Sequence, residues 1–347
     1  MAMGNSEVLI VTGGAGYIGS HTIVELVKAT DLRIISVDDH SNSSPRTFER
    51  LERITGRKIP NHVTDLKDSA AVKEIMRGYG RIAGVIHFAA YKSVPHSMRD
   101  PYTYYHNNIN SLLNLLEACI ECRVPSFIFS SSCSVYGDIP TSPVDEDTPL
   151  GRAGSPYAHT KQVGERILEE YARTHAWLKA MSLRYFNPVG AHPSALIGDD
   201  PREPPSSLVP MITRKAAGRQ RSLVVHGTDY ATRDGSCIRD LVHVVDIARA
   251  HVMALGYTMR SEPGNTVIGL GTGRGVTVLE TIAAFERITG ISLGAEMGPR
   301  REGDVAAIFA DPTRAREMLG WIPAYGLEEM LISAWKWEQQ QMRAPED

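Results

Sequence analysis

The 347 residues are too many for one ordinary domain and too few for three, and 42% of them are hydrophobic, which excludes a disordered chain. Lysine and arginine number 37 against 40 aspartates and glutamates, a formal charge of −3. That balance argues against nucleic acid or an anionic membrane as the main partner, since both demand clustered positive charge, and no apolar run approaches the ~18 residues of a membrane span. The opening stretch, Met1 to Glu7, lacks a basic region and passes straight into Val8 to Thr12. That run is short and glycine-bounded, so it reads as a strand rather than a signal peptide. Further strands are predicted at Arg33 to Val37, Val63 to Leu66, Val85 to Phe88, Phe127 to Ser131 and Ala180 to Arg184. Helical patterns lie between them at Ser20 to Lys28, Ala70 to Met76, Asn108 to Cys122 and Pro156 to Thr174. Strand alternating with helix implies right-handed crossovers and a parallel sheet covered on both faces. After Asn187-Pro188 the character changes. Residues 190 to 238 are rich in Gly, Pro, Asp and Ser, and two amphipathic helices follow near Val278 to Thr289 and Leu327 to Gln339.

Four cysteines do not make a disulfide framework and place the chain in a reducing cytoplasm. Cys119 and Cys122 sit among Leu112, Leu115, Leu116 and Ile120 in a helical pattern. They read as helix packing, because redox thiol pairs normally open a helix. No set of His, Cys, Asp and Glu has zinc spacing, so no metal is expected.

Gly13, Gly16 and Gly19 follow the first strand and open a helix. Gly13 suits the tight turn, Gly16 lets backbone approach a pyrophosphate, and Gly19 lets helix pack on strand. The helix N-terminus then offers N–H groups to the phosphates. Asp38 ends the second strand 19 residues beyond Gly19 and is placed to accept from the adenosine ribose hydroxyls. A carboxylate there repels a 2′-phosphate, which favours NAD over NADP. Asp65 reads either as a contact to the adenine amino group or as a turn acid. The expected fold is α/β: a Rossmann-type doubly wound parallel sheet with a smaller C-terminal α/β substrate lobe. Residues 1–187 form the NAD-binding domain and 188–347 mainly the second lobe, with segments near 239–270 returning to the first.

Ser130, Ser131 and Ser132 close the fifth strand. Tyr157 and Lys161 stand four apart on the next helix and share a face. A free tyrosine titrates near ~10 and is a poor base. The lysine ammonium and a nicotinamide cation both favour its phenolate. Tyr157 then takes a proton from a substrate hydroxyl while hydride leaves the same carbon, and Ser132 hydrogen-bonds that oxygen.

Several blocks carry a resemblance over almost the whole chain. They are Gly13 to His21, His87-Phe88-Ala89-Ala90 with Lys92, Ser130-Ser131-Ser132 before Val135-Tyr136-Gly137, the run Arg184 to Pro193, Arg239-Asp240, and Pro299 to Asp304. In these the sequence resembles the extended short-chain dehydrogenase/reductases, and within them the UDP-glucose (UDP-galactose) 4-epimerases. The resemblance implies tightly held NAD, lined by Tyr17, Ile18, Leu66, Phe88, Ala89, Lys92, Asn107, Ser130 and Tyr185, with Asn42 and Ser43 near the adenosine phosphates. It implies that Asn187, Ser207, Leu208, Arg239, Arg301 and Asp304, together with Lys92, Ser132 and Tyr157, hold the sugar nucleotide. Arg300 and Arg301 read equally as solvated surface charges when taken alone.

Departures from the family pattern concern the nucleotide. Ser207 replaces a common asparagine, His226 a phenylalanine, Leu241 a tyrosine, and Cys133-Ser134 an Ala-Thr pair. Ile308 stands at the family's size gate for the sugar C2 substituent, or is an ordinary core residue. His21 and His87 read as structural.

The resemblance implies NAD-dependent C4 epimerisation of UDP-hexoses through a 4-keto sugar, in a homodimer formed by the helices at Asn108 to Cys122 and Pro156 to Thr174. UDP-N-acetylhexosamines are the alternative substrates. A 4,6-dehydratase is a rival that needs an Asp-Glu pair where Cys133-Ser134 stand. A non-enzymatic NAD-binding regulator is a rival of another class, and one that usually lacks the tyrosine–lysine pair.

Overall fold

All five residues of the first strand, β1 (Val8–Thr12), are buried. A run of apolar and β-branched residues is what a parallel strand needs when helices cover both faces of its sheet. The computed structural model describes residues 7–139, 142–200, 205, 207–301 and 304–343. Met1 to Ser6, Ser206, Glu302 and Gly303, which entered the sequence reading, lie outside the described residues.

After β1 come β2 (Arg33–Val37), β3 (Asn61–His62), β4 (Ile82–His87), β5 (Ser126–Ser132) and β6 (Lys179–Tyr185). The shorter β7 (Asn187–Val189), β8 (Val224–His226) and β9 (Ile238–His243) follow, then β10 (Gly264–Leu270), β11 (Gly275–Thr277), β12 (Glu296–Gly298) and β13 (Ala307–Ile308). The helices are α1 (Tyr17–Ala29), α2 (Arg46–Thr55), α3 (Ser69–Arg77), α4 (Val94–Arg99), α5 (Pro101–Glu121), α6 (Pro156–Thr174), α7 (Leu208–Ala216), α8 (Val244–Thr258), α9 (Val278–Thr289) and α10 (Leu327–Arg343).

Seven strands form one parallel sheet in the order β10-β6-β5-β4-β1-β2-β3. Successive side chains of β1 go to opposite faces. Leu9 and Val11 join a core with residues of α1, α2 and α8, while Val8 and Ile10 join another with residues of α3, α5 and α6. The doubly wound α/β expectation is borne out. The strand order reverses between β1 and β4, and ligands of such sheets bind at the strand C-termini beside that reversal. A second sheet centres on β9, which pairs with β7, β11 and β13. A third core underlies it, built largely from α7, α9 and α10.

Three segments differ from expectation. The strand predicted at Val63 to Leu66 is instead β3, Asn61–His62, which pairs with β2 only at Ser36 and Val37. This is the sheet's edge, and Val63 is 69% exposed. Helix α5 begins seven residues before Asn108, because Asp100 accepts a hydrogen bond from Thr103 N (3.1 Å) and Pro101 follows it. Helix α8 carried no helical expectation. It is buried along most of its length between α1, the large sheet and β9, so it shows no polar stripe.

Candidate active site

The loop from β1 to α1 leaves little space. A Cβ on Gly13 (φ +70°) would stand 2.7 Å from Ala89 N, and one on Gly19 would stand 2.2 Å from the Gly13 carbonyl oxygen. Gly16 is the N-cap of α1 and makes no side-chain cap, so the first-turn N–H groups are available to an anion. At the end of β2, the Asp38 carboxylate accepts from Ala15 N (2.9 Å), His40 N (2.9 Å) and Ser43 Oγ (2.8 Å). A carboxylate has about four acceptor sites, so one is left for a ribose hydroxyl. The cradle and the remaining acceptor fit a dinucleotide.

Other expected cofactor residues fall in several places. Phe88 and Ala89 leave the end of β4 beside the loop, where Phe88 N donates to Thr12 O (3.1 Å). Tyr17 donates its hydroxyl to Gly190 O (2.6 Å), and the Lys92 amine lies 5.7 Å from the Tyr17 ring centre. Lys92 is also 3.5 Å from Asp199. Asn107 donates to Asn108 Oδ1 (3.1 Å). Asn42 is exposed, whereas Ser43 is buried against Asp38. Asp65 is an exposed turn acid that accepts from Lys67 N (2.9 Å) and pairs with its ammonium, and Leu66 is core. The turn reading of Asp65 is the one its contacts match.

The catalytic candidates meet where β5 and β6 end. Helix α6 starts sharply: Ser155 accepts from Ala158 N (3.1 Å) and Pro156 follows. Tyr157, one position on, is buried with Ser132 within hydrogen-bonding reach. Lys161 donates to the Ser130 carbonyl (2.7 Å) and lies 4.8 Å from the Phe129 ring centre. Ser130 Oγ is hydrogen-bonded to the Tyr185 hydroxyl. Burial pushes the Tyr157 phenol well above its ordinary value; Tyr185 adds to this and Ser132 opposes it. The sequence expectation of a lysine-lowered tyrosine is therefore not what these groups give by themselves, since Lys161 points at the strand carbonyl. Burial lowers Lys161 to about 8, against the charge of Glu165.

The second sheet brings the anion-binding candidates together. Ile308 on β13 pairs with Arg239 on β9, and Asn187 on β7 pairs with Leu241. The Arg239 guanidinium donates to Val305 O (2.8 Å) and Asp304 Oδ1 (3.2 Å), while Arg301 binds the same Asp304 carboxylate (2.9 Å). Arg300 turns away to Asp229 and the Tyr230 ring (4.2 Å), which is the surface reading. Asn187 Oδ1 is buried without a hydrogen-bond partner. Ser207 is exposed at the head of α7 and its side chain makes no cap, with Leu208 half-buried beside it. Leu241 is core and His226 exposed. Ile308 is 7% exposed and packs in the main core.

Cys133 joins the two halves. Its thiol is pushed up to about 12 by burial and lies within electrostatic reach of Ser132, Arg239 and Asp240. Two site residues were given no role in the sequence reading. Glu165, one turn beyond Lys161, forms a buried ion pair with Arg184 on β6. Extending the i,i+4 register by one turn would have found Glu165; Arg184 gives no such local signal.

A glycine-loop sheet with a Ser–Tyr–Lys set at its C-terminal edge defines a nucleotide-dependent oxidoreductase class of site. The sequence profile of the NAD dependent epimerase/dehydratase family matches residues 9–269. The chain is 44% identical over 330 residues to a UDP-glucose 4-epimerase of Dictyostelium discoideum, covering 95% of each chain. The structure is similar to that of UDP-glucose-4-epimerase from Stenotrophomonas maltophila with bound NAD and formylated UDP-arabinopyranose (TM-score 0.94, 42% identity, 98% and 100% of the chains). It is also similar to UDP-glucose 4-epimerase from Bifidobacterium longum in complex with NAD+ and UDP (TM-score 0.92, 39% identity, 96% and 99%). The chain belongs to the NAD dependent epimerase/dehydratase family. Among the described residues no helix is long and apolar enough to cross a membrane.

Proposed function

We propose that this chain interconverts UDP-galactose and UDP-glucose at C4, with NAD held at the glycine loop. The observation that carries the reading is Tyr157 within reach of Ser132 at the sheet's C-terminal edge, with Lys161 fixed behind it. Bound NAD supplies the acceptor and donor of a hydride. Tyr157 takes the 4-hydroxyl proton and later returns it, while Ser132 orients that oxygen. The Lys161 ammonium, joined by the nicotinamide cation when NAD is bound, favours the anionic phenol. It is lost as pH rises through about 8, so turnover should fall above that value.

Arg239 and Arg301 suit the diphosphate, each with a planar fork of donors. Asp304 and the orphaned Asn187 oxygen suit hydroxyl and amide donors of the sugar nucleotide. Firm diphosphate contacts and few charged groups around the hexose let the 4-keto sugar turn over in place, so hydride returns to the other face with no net redox. The division of labour belongs to the same reading. Residues 1–187 with the returning α8 and β10 serve NAD, and the rest of 188–347 serves the sugar nucleotide. Exposed Met98, Tyr102 and Tyr105 (59%, 72% and 38%) support a homodimer through the face that includes α5. A reducing cytoplasm suits the free cysteines.

Ile308 is aliphatic and of intermediate size, so plain hexoses are the first substrates and UDP-N-acetylhexosamines the second. Dehydration is disfavoured: Cys133, which keeps its proton, stands where that reaction needs a carboxyl group. The test is to incubate the protein with UDP-galactose, resolve the UDP-sugars and follow net NADH. UDP-glucose without net NADH supports the reading. No product from any UDP-hexose sinks it, and relative rates on UDP-galactose and UDP-N-acetylgalactosamine rank the two sugars.

A further inference from the structure

Glu165 shares one face of α6 with Tyr157 and Lys161, at successive intervals of four residues. Its carboxylate accepts two hydrogen bonds in fork geometry from Arg184 on β6, Nε at 2.9 Å and Nη2 at 2.7 Å, and another from Ser131 on β5. Both charged side chains are buried, Glu165 at 8% and Arg184 at 6% exposure. Ser131 stands between Ser130, whose carbonyl takes the Lys161 proton donor, and Ser132, the partner of Tyr157. Two successive turns of α6 are thus hydrogen-bonded to the tip of β5, and the turn before them sets Tyr157 within reach of Ser132. A buried ion pair is weak evidence for stability, because desolvation offsets its attraction. Its placement under the reacting groups calls for another reason.

We propose that Glu165, held by Arg184 and Ser131, is a positioning residue that sets Lys161 and Tyr157 against the tip of β5 and supplies the negative charge facing the buried lysine. The proposal rests on the epimerase reading for its turnover readout only. The groups facing Lys161 are few. Beta-strand β5 presents the Ser130 carbonyl and the Phe129 ring, and β4 presents His87, which burial keeps neutral by lowering it to about 3. On α6 itself stand Tyr157 and Glu165. From β6, Arg184 is engaged by Glu165 and Tyr185 by Ser130. Among the described groups, Glu165 is the anion that acts on the lysine, and it acts to keep the ammonium protonated against burial. Arg184 is itself pulled down by burial, but its bonds to Glu165 outweigh that and hold it above its ordinary value. Removing the carboxylate takes away the anion that acts on Lys161 and leaves the buried Arg184 without its charge partner.

The test uses the full chain and two readouts. With isotope-labelled lysine ε-carbons, and Lys161→Arg to identify the signal, wild-type Lys161 titrates at about 8. Glu165→Gln lowers that midpoint by about one unit, and the alkaline limb of kcat for UDP-galactose moves down with it while KM holds. Glu165→Asp, which keeps the charge, moves both back toward wild type. If Glu165→Gln does not fold, the double variant Glu165→Gln/Arg184→Gln, which leaves no orphan charge, is read the same way and shows the same fall. A folded Glu165 variant with an unchanged Lys161 midpoint and an unchanged kcat profile overturns the proposal. A wild-type chain without turnover counts against the epimerase reading, and the lysine titration then decides the role of Glu165 alone.

Discussion

A methyl group on Gly19 would meet the Gly13 carbonyl oxygen at 2.2 Å, well inside carbon–oxygen contact, and the atom it meets is backbone. Gly19→Ala should therefore push the loop off its path and lower the NAD that co-purifies with the protein. Nucleotide released on denaturation measures this, and wild-type content would refute it. Tyr157→Phe removes one oxygen from a buried ring and leaves its packing in place. It should cut kcat by about 10²–10⁴-fold with little change in melting temperature; full activity would remove Tyr157 as the base. Both residues were legible because their partners lie within one loop or one helical turn. Asp38 was legible for the same reason, by its distance from the glycines. Asp65 was read two ways, and its fate depended on where an edge strand stops. Glu165 was within reach of the same i,i+4 spacing, but its partner Arg184 was not, because their pairing is a contact between α6 and β6 that no local spacing announces.

At the scale of elements, the clearest stop and start signals were chemical. Helix α9 opens on a capping box, Thr277 with Glu280, and ends at Gly290 in the left-handed region (φ +71°). Its predicted bounds, Val278 to Thr289, coincide with the observed ones. Thr277 also hydrogen-bonds Asp234. Thr277→Ala should cost about 1–2 kcal/mol, read as a lower denaturation midpoint, and should leave UDP-galactose turnover per folded molecule unchanged. A midpoint equal to wild type would show that the cap is replaced by water. The start of α5 was equally legible in Asp100-Pro101, but the periodic pattern was taken from Asn108 onward. Helix α8 is the opposite case. Val244, Val245, Ile247, Ala248, Ala250, Ala254 and Leu255 are all buried. A helix covered on most sides has no stripe, so periodicity cannot reveal it.

For the whole molecule, four histidines are buried in the uncharged form. Burial lowers His21 and His87 to about 3, and His243 and His251 to about 4. An unfolded histidine titrates near ~6.5. Below that value the unfolded chain takes up protons that the folded one refuses. The stability is thus complete above about pH 6.5 and is lost as pH falls toward the folded values, at up to about 1.4 kcal/mol per histidine per pH unit. Asp240 and Asp246, pushed up by burial, oppose this as the carboxylate range is reached. Melting temperatures should fall steadily from about pH 7 to about pH 5; a flat or rising trend would contradict the neutral burial of these rings. The fold class was legible because strand and helix alternate over the first half of the chain. The small sheet around β9 was not, since it is assembled from pieces of two to six residues that are distant in sequence.

The seventh strand of the large sheet, β10, pairs with β6 along its whole length, from Gly264 opposite Lys179 to Leu270 opposite Tyr185. Almost the entire second lobe up to α8 is threaded between these two neighbours. During synthesis, β6 therefore leaves the ribosome as an open hydrogen-bonding edge, and roughly four to sixteen seconds pass at ordinary elongation rates before its partner emerges. An unpaired edge of this kind is a template for pairing with another chain. The long-range closure also raises contact order, which slows folding. Truncated or stalled chains that end before Gly264 are thus the forms of this protein most exposed to chaperones and to aggregation.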